Sequence, residues 1–185
     1  MRGLIAAFTY IAAGAAVGCF SAYALIQSSG VEHLQSGTPW ISRGLGLAGP
    51  WNYHARAHYL IAGRLPPAPG QLTEATAETD DDNQPLTSSC RYRLTATSPL
   101  PRWWSLAVAE SASANATVQA TADSDNVIRE ADGSLSIVAS VSPEPGNWLK
   151  TPVARRLTVI YSAVPANNQK FTSPPPFDVK REACR

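Results

Sequence analysis

The chain has 185 residues with 15 basic and 14 acidic side chains, only 16% charged residues, and 27 glycines and prolines (12 plus 15). That length accommodates one domain plus an appendage, and the glycine and proline content suits a loop-rich β protein better than a helical bundle. A near-neutral chain without a basic stripe lacks the electrostatic footprint of nucleic-acid binding, so no nucleic-acid partner is expected.

The first element is the run from Gly3 to Ile26, 24 residues without a charge. As a helix it is about 36 Å long, enough to cross a hydrocarbon core of about 30 Å. A cleaved signal peptide competes, because Ala22-Tyr23-Ala24 resembles a cleavage site, as does a lipoprotein signal ending "AVGC" at Cys19. The anchor is preferred. The apolar run exceeds the usual signal core of about 7–15 residues, and Cys19 is followed by "FSAYALI" where a lipidated chain has a polar tether. With Arg2 held inside, every version leaves the rest of the chain outside the cytoplasm. Gly14, Gly18 and Ala22 form a small-residue face that suits a second membrane helix. The chain thus divides into an anchor over 1–27, a linker over 28–50 and a β-sandwich domain over 51–185.

Within the linker, Trp40, Ile41, Leu45 and Leu47 suit either the headgroup level of a membrane or the domain's own surface. Residues 52–65 are expected to form a helix capped by Asn52, with Tyr53, Ala57, Leu60 and Ile61 on one face. His54 and His58 stand one turn apart, but no acidic or cysteine partner lies in that helix, so no metal site is expected. From Gly70 onward, short strands alternate with turn signals. "TDDDNQP" reads as a hydrated turn, lacking the ligand spacing, glycine and glutamate of a calcium loop. "CRYRLTATS", "RWWSLAVAES" and "ARRLTVIYSAV" read as strands, "NVIREADGSLSIVASV" as a hairpin turning at Asp132-Gly133, and "FDVKREAC" as a closing strand. Asn115-Ala116-Thr117 fits a glycosylation sequon but has no supporting context. The fold expected is mainly β: a jelly-roll-like antiparallel β-sandwich with one short soluble helix, preceded by a transmembrane helix.

Cys90 opens a strand and Cys184 is the penultimate residue, both in the exported part, so they are the expected disulfide; Cys19 sits in the apolar run. In the double tryptophan, successive side chains of a strand point to opposite faces. Trp104, Leu106 and Val108 fall on the apolar face and are expected in the core. Trp103 falls on the other face and, with Trp148, is a candidate partner or ligand contact.

Catalytic signals are sparse. There is no G-x-S-x-G, all three histidines lie upstream of the β region, and the acids near strands, such as Glu110 and Glu130, show no paired spacing. No catalytic, cofactor or metal residue is assigned, and no cofactor is expected.

The ordered blocks "CRYRL", "PLPRWWSLAVAES", "DGSLSIV", "NWLKTPVARRLTVIYSAV" and "KREAC" resemble a bacterial envelope family, domain of unknown function 1214. The likeness covers roughly residues 50 to 185. It implies an envelope protein with a jelly-roll-like sandwich that often accompanies relatives carrying the neighbouring uncharacterised domain 1254. It implies no catalytic residues. After the double tryptophan this chain is alanine- and serine-rich, where the family usually has threonine, an aromatic-containing strand and an Asp- or Asn-rich stretch. The function expected is a non-enzymatic, membrane-anchored periplasmic subunit that assembles with a partner envelope protein, single-pass in the inner membrane with its amino terminus cytoplasmic. The alternative is a periplasmic glycan- or small-ligand-binding module.

Overall fold

In a computed structural model of the chain, the described residues are 2–28, 31–33, 37–43, 53–61, 72–97, 100–111, 118–164 and 175–184. Helix α1 spans Arg2–Ser28, and its residues 3–25 are all exposed. Within its 26 residues Gly3–Ser28, an 18-residue stretch has a mean hydropathy of 1.8, so the helix is long and apolar enough to cross a membrane.

The β region is built on period-two alternation. Strand β4 (Cys90–Ala96) buries every second side chain, from Cys90 through Tyr92 and Leu94 to Ala96. Strands β5 (Trp103–Glu110) and β9 (Leu157–Val164) alternate in the same way and pair antiparallel over their full length, Trp103 opposite Val164 and Glu110 opposite Leu157. Around them lie β1 (Val31–His33), β2 (Trp40–Arg43), β3 (Thr73–Ala77), β6 (Thr121–Asp123), β7 (Leu135–Ser140), β8 (Asn147–Lys150) and β10 (Phe177–Cys184). They form a six-stranded sheet ordered β1-β2-β3-β9-β5-β6 and a four-stranded sheet ordered β10-β4-β7-β8. The inward faces of the two sheets share one core. At its centre Trp104 packs 5.1 Å from Phe177, which lies 5.8 Å from Tyr161, and Trp40 meets Tyr161 edge-on at 6.2 Å.

Three features differ from the sequence reading. The sheets are not antiparallel throughout, because β7 and β8 run parallel. A parallel pair ordinarily needs a long crossover. Here β8 begins opposite Ile137, so the chain leaving Ser140 has only about 10 Å to return, which residues 141–146 cover with Gly146 at φ +82°. Second, the Asp132-Gly133 turn forms, with Gly133 at φ +82° and its N–H donated to the Glu130 carbonyl at 2.9 Å. The segment before it is nevertheless not a strand, so there is no hairpin.

Third, the glycine-rich stretch 28–50 contributes β1 and β2, and Trp40 is 1% exposed, in the core rather than at a headgroup level. Pairing with β3 places it there, Trp40 opposite Ala77, and its indole N–H donates to the Phe177 carbonyl of the other sheet at 2.7 Å. Helix α2 covers Tyr53–Ile61, and among its described side chains Tyr53, Leu60 and Ile61 are exposed while Tyr59 is buried. Leu45, Leu47, Pro99, the 115–117 sequon and the side chains of His33, His54 and His58 lie outside the described residues.

Candidate functional site

The terminal strand β10 is joined to β4 nearly residue by residue. Cys184 lies opposite Cys90 and is bonded to it, closing a separation of 94 residues. Between Arg181 and Ala183 the register slips, so Glu182 is the extra residue of a bulge. Glu182 meets Arg91 at 2.8 Å and also engages Arg93, while Arg91 reaches Glu144 at 3.4 Å. Arg181 stacks over the Tyr92 ring at 5.6 Å and donates to the Pro85 carbonyl at 2.8 Å. Its Nε lies 2.9 Å from Asp80 Oδ2 as an ion pair without hydrogen-bond alignment. Asp80 is therefore not part of a hydrated turn: it is 2% exposed, and its Oδ1 accepts the Gln84 N–H at 2.8 Å.

The next residue closes the edge of β10. Asp81 donates its N–H to the Val179 carbonyl and accepts the Val179 N–H on Oδ2, each at 3.0 Å. Burial raises the Asp81 carboxyl above the ordinary carboxylate value, opposed by the Val179 N–H and reinforced by Asp178. At the other end of this sheet Asn147 acts similarly. Its Oδ1 accepts the Ile128 N–H at 2.7 Å, and its Nδ2 donates to the Ile128 carbonyl at 2.7 Å and the Ser136 carbonyl at 3.0 Å. One side-chain amide thus occupies the place of a ladder partner for the segment before the Asp132-Gly133 turn.

Trp104, Leu106 and Val108 are buried to 1% exposure or less. Trp104 Nε1 has no hydrogen-bond partner among the described residues, and Tyr161 has its phenol pushed well above the usual value by burial. Trp103 is 38% exposed, and its cross-strand neighbour Val164 is 44% exposed. Beside them Ser105 faces Ser162 and Ala107 faces Ile160, a floor of mostly small side chains on the outer face of the six-stranded sheet. Trp148 lies on the other sheet, half-buried, with its N–H shared between the Ser140 carbonyl at 3.2 Å and hydroxyl at 3.1 Å. The two candidate tryptophans are therefore not brought together. Gly14, Gly18 and Ala22 lie exposed on α1, with nothing within 4 Å of a side chain built at either glycine.

Two shallow cavities flank β4. One of about 160 Å³ is walled by Ser88, Arg91, Ser140 and Glu144, and one of about 170 Å³ by Arg93, Glu130, Ser136 and Asn147. Both are smaller than the roughly 300–1,000 Å³ of a small-molecule pocket, and in the first the Arg91 and Glu144 charges face each other. Among the described residues no three His, Cys, Asp or Glu side chains group as metal ligands.

These features define a disulfide-closed β-sandwich behind an apolar helix of membrane-spanning length. The chain belongs to the family described as "Protein of unknown function (DUF1214)", whose model matches residues 71–164, from the edge of β3 to the end of β9. Among solved structures it is similar to an uncharacterised protein from Burkholderia cenocepacia, at 17% identity and TM-score 0.48 over 62% of this chain and 30% of that one. It is also similar to the VPA0106 protein from Vibrio parahaemolyticus, at 15% identity and TM-score 0.56 over 70% of this chain and 35% of that one. The likeness to the Vibrio protein shows a shared fold, and the chain spans about a third of the length of either solved chain. Curated proteins returned no match.

Proposed function

We propose that this protein is a non-enzymatic, membrane-anchored component of the bacterial envelope, its sandwich in the periplasm and a partner protein docked at the Trp103 corner. The observation that carries the reading is the exposed pair Trp103 and Val164 beside the small-residue floor of β5 and β9. Aromatic anchors over a flat, small-residue surface suit protein association, where a few tryptophans dominate binding. The apolar helix supports attachment to a membrane, and the Cys90–Cys184 bond supports an oxidising compartment. The two cavities beside β4 are too small for a typical small-molecule ligand. Gly14, Gly18 and Ala22 offer a partner's membrane helix a close approach. A protein carrying domain 1254 is the first partner to test.

The test is site-specific photocrosslinking in native membranes, with a photoreactive residue replacing Trp103 or the exposed Val153 as a control. A discrete adduct from position 103 and none from 153 is expected. Recovery of the uncrosslinked monomer alone from gently solubilised membranes overturns the reading. Retention on a glycan array without any protein adduct assigns the ligand-binding role instead.

A further inference from the structure

Helix α2 packs against α1, and among the described side chains of α1 only Ile26 and Gln27 are half-buried. The contact therefore falls at the carboxyl end of the apolar helix. A helix of 26 residues is about 39 Å long, against a hydrocarbon core of about 30 Å, so Ile26 to Ser28 emerge among the headgroups. Through Tyr59 α2 is also fixed to the sandwich: Tyr59 is 3% exposed and its hydroxyl lies 3.5 Å from Glu74 Oε1 on β3. The orientation of α2 is thus set by the anchor's end on one side and the sheet on another. Its remaining face carries Tyr53, Leu60 and Ile61, exposed by 61%, 66% and 51%, within an arc of about 100° that also holds Ala57. Arg56 stands exposed at the margin of that arc.

We propose that α2 is a second membrane contact, lying in the interface with Leu60 and Ile61 among the acyl chains and Tyr53 and Arg56 at the headgroups. This rests on the reading of α1 as a membrane span. The occupant of the α2 face is lipid, because α2 packs at the end of α1, at the depth where that helix leaves the bilayer, and the face it leaves exposed there is apolar. A helix with apolar residues on one side and a flanking arginine is the form that binds in the interface plane. The consequence is mechanical: the sandwich is held at a fixed height and orientation instead of swinging from its anchor.

The test uses the full chain with Cys19→Ser, reconstituted into phosphatidylethanolamine–phosphatidylglycerol vesicles. Nitroxide labels are placed at Leu60→Cys, at Ile11→Cys in mid-helix, and at Ile128→Cys, a 75%-exposed control on the sandwich. Collision with oxygen and with a water-soluble nickel complex is read for each. At position 60, oxygen access is expected to exceed nickel access several-fold, with the reverse at 128. Equal nickel access at 60 and 128 overturns the proposal, as does an immobile label at 60 shielded from both reagents, the signature of a protein contact. Position 11 separates the two readings: lipid exposure at 11 with water exposure at 60 rejects only the α2 contact, whereas water exposure at 11 rejects the anchor itself.

Discussion

Asp81 exchanges two hydrogen bonds with Val179, backbone N–H to carbonyl and carboxylate to N–H, both at 3.0 Å. One residue thereby occupies the outward-facing backbone of the terminal strand, the position at which a foreign strand would otherwise add. The carboxyl is raised chiefly by burial, so the native state holds its proton more tightly than the unfolded chain does. Its contribution to stability is therefore fully present below the ordinary carboxylate value of 3.8 and falls as pH rises through the raised value. Asp81→Asn keeps an acceptor for Val179 while removing the titration. The urea midpoint of wild type minus variant, followed from pH 3 to 6, should slope downward and then level. A flat difference curve would show that Asp81 does not titrate abnormally.

Arg181 and Asp80 make a less forgiving contact, since Asp80 is almost wholly buried. Arg181→Met leaves that carboxylate without its cation and also removes the Pro85 bond and the Tyr92 stacking. The expected cost is about 3 kcal/mol by equilibrium denaturation. Adding Asp80→Asn, which keeps an acceptor for Gln84, should restore part of it. A double variant no more stable than Arg181→Met would place the loss in the stacking instead.

Trp40, Trp103 and Trp104 should separate by environment. Trp104→Ala empties a core site and should cost about 3–5 kcal/mol, whereas Trp103→Ala should cost about 1 kcal/mol or less. The phenylalanine variants invert the usual expectation of equivalence. Trp40→Phe leaves the Phe177 carbonyl without its donor, adding about 1–3 kcal/mol to the packing loss. Trp104→Phe removes an N–H that has no partner among the described residues and should be milder. Thermal denaturation of the four variants tests the order, and equal losses at 103 and 104 would reject the division of faces.

The Cys90–Cys184 bond closes a separation of 94 residues, for which chain entropy gives about 4–5 kcal/mol. Cys184→Ser should lower the denaturant midpoint accordingly and release β10, seen as fast amide exchange at Val179 and Arg181. Loss of stability without faster exchange in β10 would indicate an effect on the unfolded chain alone.

Much of the sandwich was legible residue by residue. Alternation in "CRYRLTA" and "WWSLAV" separates Tyr92, Leu94, Trp104, Leu106 and Val108 from their less buried neighbours, because a strand's period of two is a property of its own backbone. The uncharged run to Ile26 was equally plain, since helix length and hydropathy are local sums. Two cysteines at the ends of strands made the disulfide readable, although their adjacency depends on β4 and β10 being neighbours. At the candidate site, the outward face of Trp103 follows from the same alternation, but its pairing with Val164 does not.

Features that depended on distant partners were not legible. Trp40 sits in a glycine-rich stretch with no sustained period, and its burial is decided by β3 and by a carbonyl 137 residues away. Asp80 reads as a solvated acid until Arg181 closes over it, and Asp81 and Asn147 become strand substitutes only where a sheet edge or an irregular segment meets them. The apolar face of α2 was visible as a pattern, yet its direction was set by Tyr59 at the sheet and by the end of α1. Local periodicity by itself determined which side chains could be inside and which segment could cross a membrane. Only the tertiary structure decided which strands, charges and backbone groups meet, because those contacts join residues far apart in the chain, and no local period records them.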